Sequence, residues 1–412
     1  MRNPNNLLHV VLPLTLLILA GCPNKTKGDP SLPKTAPDKP AMVLPAGVFA
    51  IPGIDDAQQL AVGDQHACVI RAGGRVFCWG DNTAGGLGLP EKKIYDKPVE
   101  FPQAADAVQI AASTTTTCVR KKTGVVFCWS GNQGPATNEP LELKNQTMTK
   151  LKDARTIGVG PLHVCGALAD GSVRCEEVPV MPQYTSIYSM PTEFTGVGDV
   201  VSLEVGFQFL CARLKGGEVR CMGTNRGGQT GNGADGEEKD PVSPKGASAM
   251  TPELFPKASS VCPGIELPAC EKDLSGVTDL SLSPGGACAV IGADGAVACW
   301  GSFDYRGDDV LGIGENGFAR VPVLLGGITG ARGVATGLFH VCALTGDGGV
   351  SCFGKNDLGQ LGDGTKTDRK TAGPVPQLTG MTALGAGHSI TCALHGTGSV
   401  VCWGTYREET EE

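Results

Sequence analysis

His340-Val341-Cys342-Ala343-Leu344-Thr345-Gly346-Asp347-Gly348-Gly349-Val350-Ser351-Cys352-Phe353-Gly354 is the stretch on which the reading of this chain turns. Cys342 and Cys352 are equidistant from Asp347, so a hairpin with a three-residue loop, 346–348, sets them directly opposite each other. Such a loop needs a left-handed residue at its last position, and Gly348 supplies one without a steric penalty. Residues directly opposite in an antiparallel pair have Cα atoms about 4.5–5.5 Å apart, inside the range that a disulfide tolerates. The stretch therefore reads as a hairpin that staples itself.

The same unit recurs along the chain. Cys68 pairs with Cys78, Cys118 with Cys128, Cys165 with Cys175, Cys211 with Cys221, Cys288 with Cys299, Cys342 with Cys352 and Cys392 with Cys402, and Cys262 with Cys270 forms an odd eighth pair. Successive first cysteines are 50, 47, 46, 77, 54 and 50 residues apart, a period of propeller blades and not of helical solenoids. Each unit has glycine four residues before its second cysteine: Gly74, Gly124, Gly171, Gly217, Gly295, Gly348 and Gly398. Cys288 to Cys299 is one residue longer, so a bulge or a wider turn is expected there. Metal coordination is the rival use of paired thiols. It fails on spacing, because nine intervening residues place the sulfurs across a hairpin, whereas structural zinc uses short knuckles.

Apolar-alternating segments precede each first cysteine, such as Gln59-Leu60-Ala61-Val62-Gly63 and Val334-Ala335-Thr336-Gly337. After each second cysteine stands Trp79, Trp129, Trp300 or Trp403, or in their place Phe353, Met222 or, as the polar exception, Glu176. A bulky apolar residue at one repeated place is a core layer between blades. Glu176 predicts poorer packing in the third blade. The last unit stops soon after Trp403-Gly404, without the outer segment that other units supply as Val321-Pro322-Val323-Leu324-Leu325. The stretch Met42-Val43-Leu44-Pro45-Ala46-Gly47-Val48-Phe49-Ala50 has similar composition and is expected to complete the seventh blade, leaving no open edge.

The pattern His-x-Cys-Ala-Leu-x-x-x-Gly-x-Val-x-Cys-Trp/Phe-Gly-x-Asn-x-x-Gly-Gln-Leu-Gly-x-Gly, clearest from His340 through Gly364, resembles the repeats of the regulator of chromosome condensation family. The resemblance covers about residues 46–404 and is strongest in the sixth unit, good in the first and fourth, and weak in the second and third. It implies an all-β, seven-bladed β-propeller, the family's fold. The paired cysteines in every blade depart from the family pattern and suit an exported version. In the family's eukaryotic founder the fold promotes nucleotide exchange on a nuclear GTPase and docks on chromatin. Secreted relatives inhibit β-lactamases by binding them, so the resemblance implies binding more than any one partner.

The N-terminus points outward as well. A short polar start with Arg2 leads into an apolar run from Leu7 to Ala20, interrupted by His9, Pro13 and Thr15, and then Leu19-Ala20-Gly21-Cys22. This has a signal peptide's shape and ends like a bacterial lipobox, with Cys22 the expected lipidation site. The Pro- and Lys-rich residues that follow read as an extended tether. The expected organisation is a lipoprotein signal peptide, 1–21; lipidated Cys22 and tether, 22–45; propeller, 46–404, with an insertion at about 240–275 between blades 4 and 5; and an acidic tail, 405–412. The sixteen cysteines beyond Cys22 are expected to pair as sequence neighbours, Cys262 with Cys270 included.

Composition and motifs then narrow the function. A formal net charge of −8 without a basic block argues against nucleic acid. His66, His163 and His340 each sit two residues before a first cysteine, with His388 nearby in its own unit. Repetition at one strand position suits a structural hydrogen bond and not a catalytic base, which occurs once with distinct partners. Asn232-Gly233-Ala234-Asp235-Gly236-Glu237-Glu238 lacks the ligand spacing of a calcium loop. The Gly-rich segments lack the following helix and lysine of a phosphate loop. No catalytic residue, metal site or cofactor is expected. The expected function is a membrane-anchored envelope binding or scaffold module, monomeric, held to a bacterial membrane (outer membrane or cell surface) by its lipid. Its partner would be an unidentified protein or envelope ligand. The alternative is an envelope enzyme, for example one acting on polysaccharide, that uses a propeller face. The insertion, as the lone break in the repeat, is a candidate recognition element.

Overall fold

The computed structural model describes residues 43–131, 143–178, 192–225, 227–231, 274, 276–305, 308–311, 313 and 318–406. Cys22, the signal peptide, nearly all of the tether, the pair Cys262 and Cys270, the acidic 232–238 run and almost all of the insertion and acidic tail lie outside these residues.

Seven antiparallel sheets follow one another along the chain, one per cysteine unit. In the sixth, the strands Ala331–Thr336, His340–Thr345, Val350–Gly354 and Arg369–Pro374 pair in sequence order from inside to outside. Blade 4 has three strands among the described residues. Cys342 faces Cys352 in register, as Val341 faces Phe353. The Thr345 N–H donates to the Gly349 carbonyl, which makes these two residues a hydrogen-bonded pair and puts the cysteines at a narrow, non-hydrogen-bonded position.

All seven hairpin pairs are disulfide-bonded as the spacing predicts. Cys68 is bonded to Cys78, Cys118 to Cys128, Cys165 to Cys175, Cys211 to Cys221, Cys288 to Cys299, Cys342 to Cys352 and Cys392 to Cys402. Their Cα atoms are 4.0–4.1 Å apart, closer than the 4.5–5.5 Å expected for opposed residues in general, because each pair takes the narrow position. The longer fifth hairpin absorbs its extra residue in a wider turn, residues 292–295, while its strands keep unbroken register from Gly286 opposite Gly301 to Ile291 opposite Ala296.

The seven repeated glycines all have positive φ, from 63° to 87°. They also serve a purpose that the hairpin alone does not require. The carbonyl of each accepts a backbone N–H from the next blade: Ala107 to Gly74, Asp153 to Gly124, Gly198 to Gly171, Val277 to Gly217, Ala331 to Gly295, Met381 to Gly348 and Ala57 to Gly398. A Cβ on Gly348 would come within 2.6 Å of the Gly380 nitrogen, so a side chain would push this contact apart.

The core lies between blades. Trp79, Trp129, Trp300 and Trp403 are fully buried, with Met222 and Phe353 in the same layer. Each indole N–H finds an acceptor, as a buried donor must. Trp129 donates to Gly86 O, Trp300 to Gln229 O and Trp403 to Gln360 O, each in the outer loop of the preceding blade. Blade 3, with Glu176 at this position, uses it differently: the carboxylate accepts the Lys150 N–H of blade 2's exit at 2.5 Å.

The ring closes as its ends predict. Val48–Ala50 pairs with Val400–Gly404, matching Val48 with Trp403, Phe49 with Cys402 and Ala50 with Val401. Among the described residues, blade 7 offers no outer-loop carbonyl to the indole of blade 1. Tyr406 takes its place, accepting the Trp79 N–H at 2.7 Å, with Phe49 edge-on to the phenol. Tyr406→Phe keeps the ring and orphans that N–H, so chemical denaturation should show a loss of about 1–3 kcal/mol; an unchanged midpoint would remove Tyr406 from the closure.

Candidate functional site

Strand direction sorts the loops. Each inner strand ends on one face and turns into the second strand through a short loop; the stapled hairpins lie on the opposite face, and the outer loops after the third strands return to the first. The short loops ring the mouth of the central channel and bond across blades. Asp64 N–H donates to Thr114 O, Phe207 N–H to Pro284 O, Leu338 N–H to Gly387 O and His388 N–H to Asp64 O, at 3.0–3.2 Å. Thr114 has φ +35°, a costly conformation for a β-branched residue. On this rim Pro161, Phe207, Pro284, Leu338 and Phe339 are half-buried, beside Asp64 and His388. Burial pushes the Asp64 carboxyl above its ordinary range, and the neighbouring His388 opposes the shift.

Behind the mouth, the seven inner strands enclose a cavity of about 270 Å³, with a smaller one of about 60 Å³ at the rim. Glu204 lines both. Burial first, then the nearby Asp279, pushes its carboxyl up to about 8, against the pull of Arg213. Asp279 is raised by burial too, opposed by the N–H groups of Val334 and Leu280 and by Arg213.

The repeated histidines hold blades together. His66 Nε2 lies 2.7 Å from Thr117 Oγ1 of the next blade, and His340 Nε2 lies 2.8 Å from Thr391 Oγ1. Each threonine hydroxyl donates onward to a loop carbonyl, Gly86 or Gln360. That direction assigns the proton to Nε2 and leaves Nδ1 as an acceptor. His163 is buried at the same strand position. Burial lowers His66 to about 4 and His340 to about 3, so both are neutral in the folded chain. The unfolded chain takes up these protons near pH 6.5, so stability is complete above that value and falls with pH toward 4. The two together should remove several kcal/mol over this window, to be read by denaturant melts at stepped pH. A flat profile would mean that the rings are solvated.

The motif asparagines organise the outer loops. Asn356 Oδ1 accepts the Leu361 N–H, while Nδ2 donates to the Thr365 and Thr367 carbonyls. Asn82 does the same with Leu87, Leu89 and Glu91. Sequence reading placed none of Asp64, Glu204, Asp279 or Arg213 at a site. A signal existed for Glu204: the equivalent inner-strand residue in the other six blades is alanine, glycine or serine.

Fold and site define a class: a seven-bladed propeller with hairpin staples, a bonded rim and a hollow, polar channel. Models of the Regulator of chromosome condensation (RCC1) repeat match residues 57–85, 73–120 and 331–360, so the chain carries repeats of this family. Among proteins similar in sequence, the human E3 ubiquitin-protein ligase HERC2 is 36% identical over 105 residues, 25% of this chain and 2% of that one. The human probable E3 ubiquitin-protein ligase HERC4 is 27% identical over 196 residues, 46% of this chain and 16% of the other. The chain thus spans only a small part of these relatives. Among solved structures, Prp20p from Saccharomyces cerevisiae aligns with a TM-score of 0.57 at 18% identity, over 85% of this chain and 83% of its own. Human WBSCR16 aligns with a TM-score of 0.59 at 16% identity, over 85% and 88%. These likenesses show the shared fold.

Proposed function

We propose that the chain is a binding module that engages a protein partner through the channel-mouth face, and that it works at a bacterial envelope, tethered through lipid on Cys22. The observation that carries the reading is the rim itself. Half-exposed Phe207, Leu338 and Phe339 stand on loops tied blade to blade by backbone hydrogen bonds, so little conformational freedom is lost when a partner docks. Apolar and aromatic side chains on a rigid frame are the usual anchors of an interface. Prp20p, of like fold, is described for its binding to Gsp1p and histones, which supports protein binding as the use of such a propeller. The net charge of −8 favours a protein over a nucleic acid. The lipobox-like Leu19-Ala20-Gly21-Cys22 and the seven disulfides support an oxidising location at the outer membrane or cell surface.

The test is affinity capture from solubilised membranes with the tagged mature chain. Phe207→Glu and Leu338→Glu should each lower recovery of the partner about ten-fold or more, while Lys215→Glu on the opposite hairpin face leaves it unchanged. Cys22→Ala should release the protein from membranes and block incorporation of labelled fatty acid. Undiminished capture by both rim variants would move the interface elsewhere, and membrane retention of the Cys22 variant after a salt wash would sink the anchor.

A further inference from the structure

The fold gathers, on one sector of the hairpin face, cations that the sequence disperses. Lys121 and Lys122 enter the hairpin tip of blade 2, and Lys150, Lys152 and Arg155 stand on the segment that leads from blade 2 to blade 3. Backbone hydrogen bonds join these segments: the Asp153 N–H donates to the Gly124 carbonyl of the hairpin, and the Lys122 N–H to the Asp106 carbonyl, each at 2.9 Å. Lys122, Lys150, Lys152 and Arg155 are exposed. Lys121 is half-buried, its Nζ donating to Gln103 O at 2.6 Å and lying 5.3 Å from the centre of the Phe127 ring. None of the five forms an ion pair among the described residues. The neighbouring hairpin of blade 1 differs, with Arg71 paired to Asp55 and Asp56 and Arg75 to Glu100. Asp106 and Asp153 are the carboxylates within the joined segments, and Asp170 on the next hairpin is turned to the Ser172 N–H and hydroxyl. The cations outnumber the carboxylates around them.

This concentration stands against a formal net charge of −8. Charges more than about 8 Å away are largely screened at physiological ionic strength, so a surface laid on this sector meets its cations and not the acidic remainder. Asp294 and Asp347, at the hairpin tips of blades 5 and 6, lie on the far side of the ring. No aromatic ring of the sector is exposed, since Phe101 is buried and Phe127 half-buried beneath Lys121, so unpaired bases would find nothing to stack on. A broad array of phosphates suits the sector better.

The chain's own entry fits such a contact. Val48 pairs with Trp403 and Ala50 with Val401, so the closing strand runs from the mouth face to the hairpin face. The residues before it lie on the mouth side, where a Cβ on Gly364 of the blade 6 outer loop would come 3.6 Å from Ala46. Residues 23–42 separate Cys22 from Val43; at about 3.3 Å each they can span roughly 65 Å, against about 20 Å for the depth of a six-residue strand. A lipid on Cys22 thus permits either face toward the membrane and selects neither. We propose that the surface of Lys121, Lys122, Lys150, Lys152 and Arg155 docks on an anionic phospholipid bilayer, which sets the hairpin face against the membrane and the channel mouth outward. The contact rests on the envelope location given above, but needs neither the lipid nor the rim interface.

Co-sedimentation of the mature chain, residues 22–412 with Cys22→Ala and hence no lipid, tests the contact on vesicles of phosphatidylcholine with and without one-third phosphatidylglycerol. Binding to the anionic vesicles should be saturable, about ten-fold or more tighter than to neutral ones, and lost at 1 M salt, where the screening length is about 3 Å. Lys122→Glu combined with Lys152→Glu should weaken it by about thirty-fold or more at an unchanged Tm. Lys366→Glu combined with Lys370→Glu makes the same change of net charge at the exposed outer loop and strand of blade 6, and should bind like the parent. Phe207→Glu, expected to lose the protein partner, should also bind vesicles like the parent. Equal binding to neutral vesicles, binding to neither, equal losses in the two double variants, loss of vesicle binding in Phe207→Glu, or a DNA duplex that strips the chain from anionic vesicles at equal phosphate concentration would overturn the proposal.

Discussion

Full reduction of the hairpin disulfides should unfold the propeller at temperatures where the oxidised protein is native. Each staple closes a loop of about eleven residues, worth roughly 2.5–3 kcal/mol in the chain-entropy account. Seven of them together exceed the whole margin of a typical domain, about 5–15 kcal/mol. The sulfurs also have nowhere to go. The fourteen bonded cysteines are at most 3% exposed, so two thiols would have to separate inside a packed layer. Thermal melts with and without reductant, with thiol labelling to prove complete reduction, give the measurement. A fall in Tm of tens of degrees is expected, and a fully labelled protein that melts within a few degrees of the oxidised one would show that blade packing suffices. Removing a single staple, as in the double variant Cys342→Ala with Cys352→Ala, should cost only about 2–5 kcal/mol, because the remaining six still restrict the unfolded chain.

The second large effect is expected at Trp403. Its indole is fully buried, donates to Gln360 O at 2.9 Å and sits so close to Gly362 that a Cβ there would come 2.7 Å from the ring. It is also the residue that Val48 of the closing strand faces. Trp403→Ala should therefore cost about 3–5 kcal/mol from the cavity alone, with a further penalty for the Gln360 carbonyl, which would keep only the Thr391 hydroxyl. Trp403→Phe separates the two contributions, since it retains most of the volume and loses the N–H, and about 1–3 kcal/mol is expected. Equilibrium denaturation of both variants checks this. A loss below about 1.5 kcal/mol for Trp403→Ala would mean that the layer between blades 6 and 7 relaxes into the space.

Much of the fold was legible because its information is local. Cys342, Gly348 and Cys352 lie within one hairpin, so loop length, side-chain alternation and the left-handed glycine all constrain the same few residues. Seven copies at a blade's period then leave little freedom in the architecture, and a missing outer strand at one end with a spare strand at the other determines the closure. The structural role of His66 and His340 was readable from their repetition, though not their partners Thr117 and Thr391, which come from the following blade.

What only the tertiary structure decided are the relations between blades. That Gly74 or Gly348 also hands its carbonyl to the next blade, that Trp79 turns to the Tyr406 hydroxyl and not to a loop carbonyl, and that Ser202 leaves Arg213 without the acceptor Gln109 gives Arg120, all depend on how neighbouring sheets meet. The hairpin pattern says which side chains share a strand face, but the seam is set by how closely two twisted sheets approach. A single buried polar atom there is matched or orphaned by ångström distances that a repeat in sequence does not encode. The seven hairpin pairings and the blade number were written in the chain; the channel and its polar lining exist only once seven blades have closed on one another.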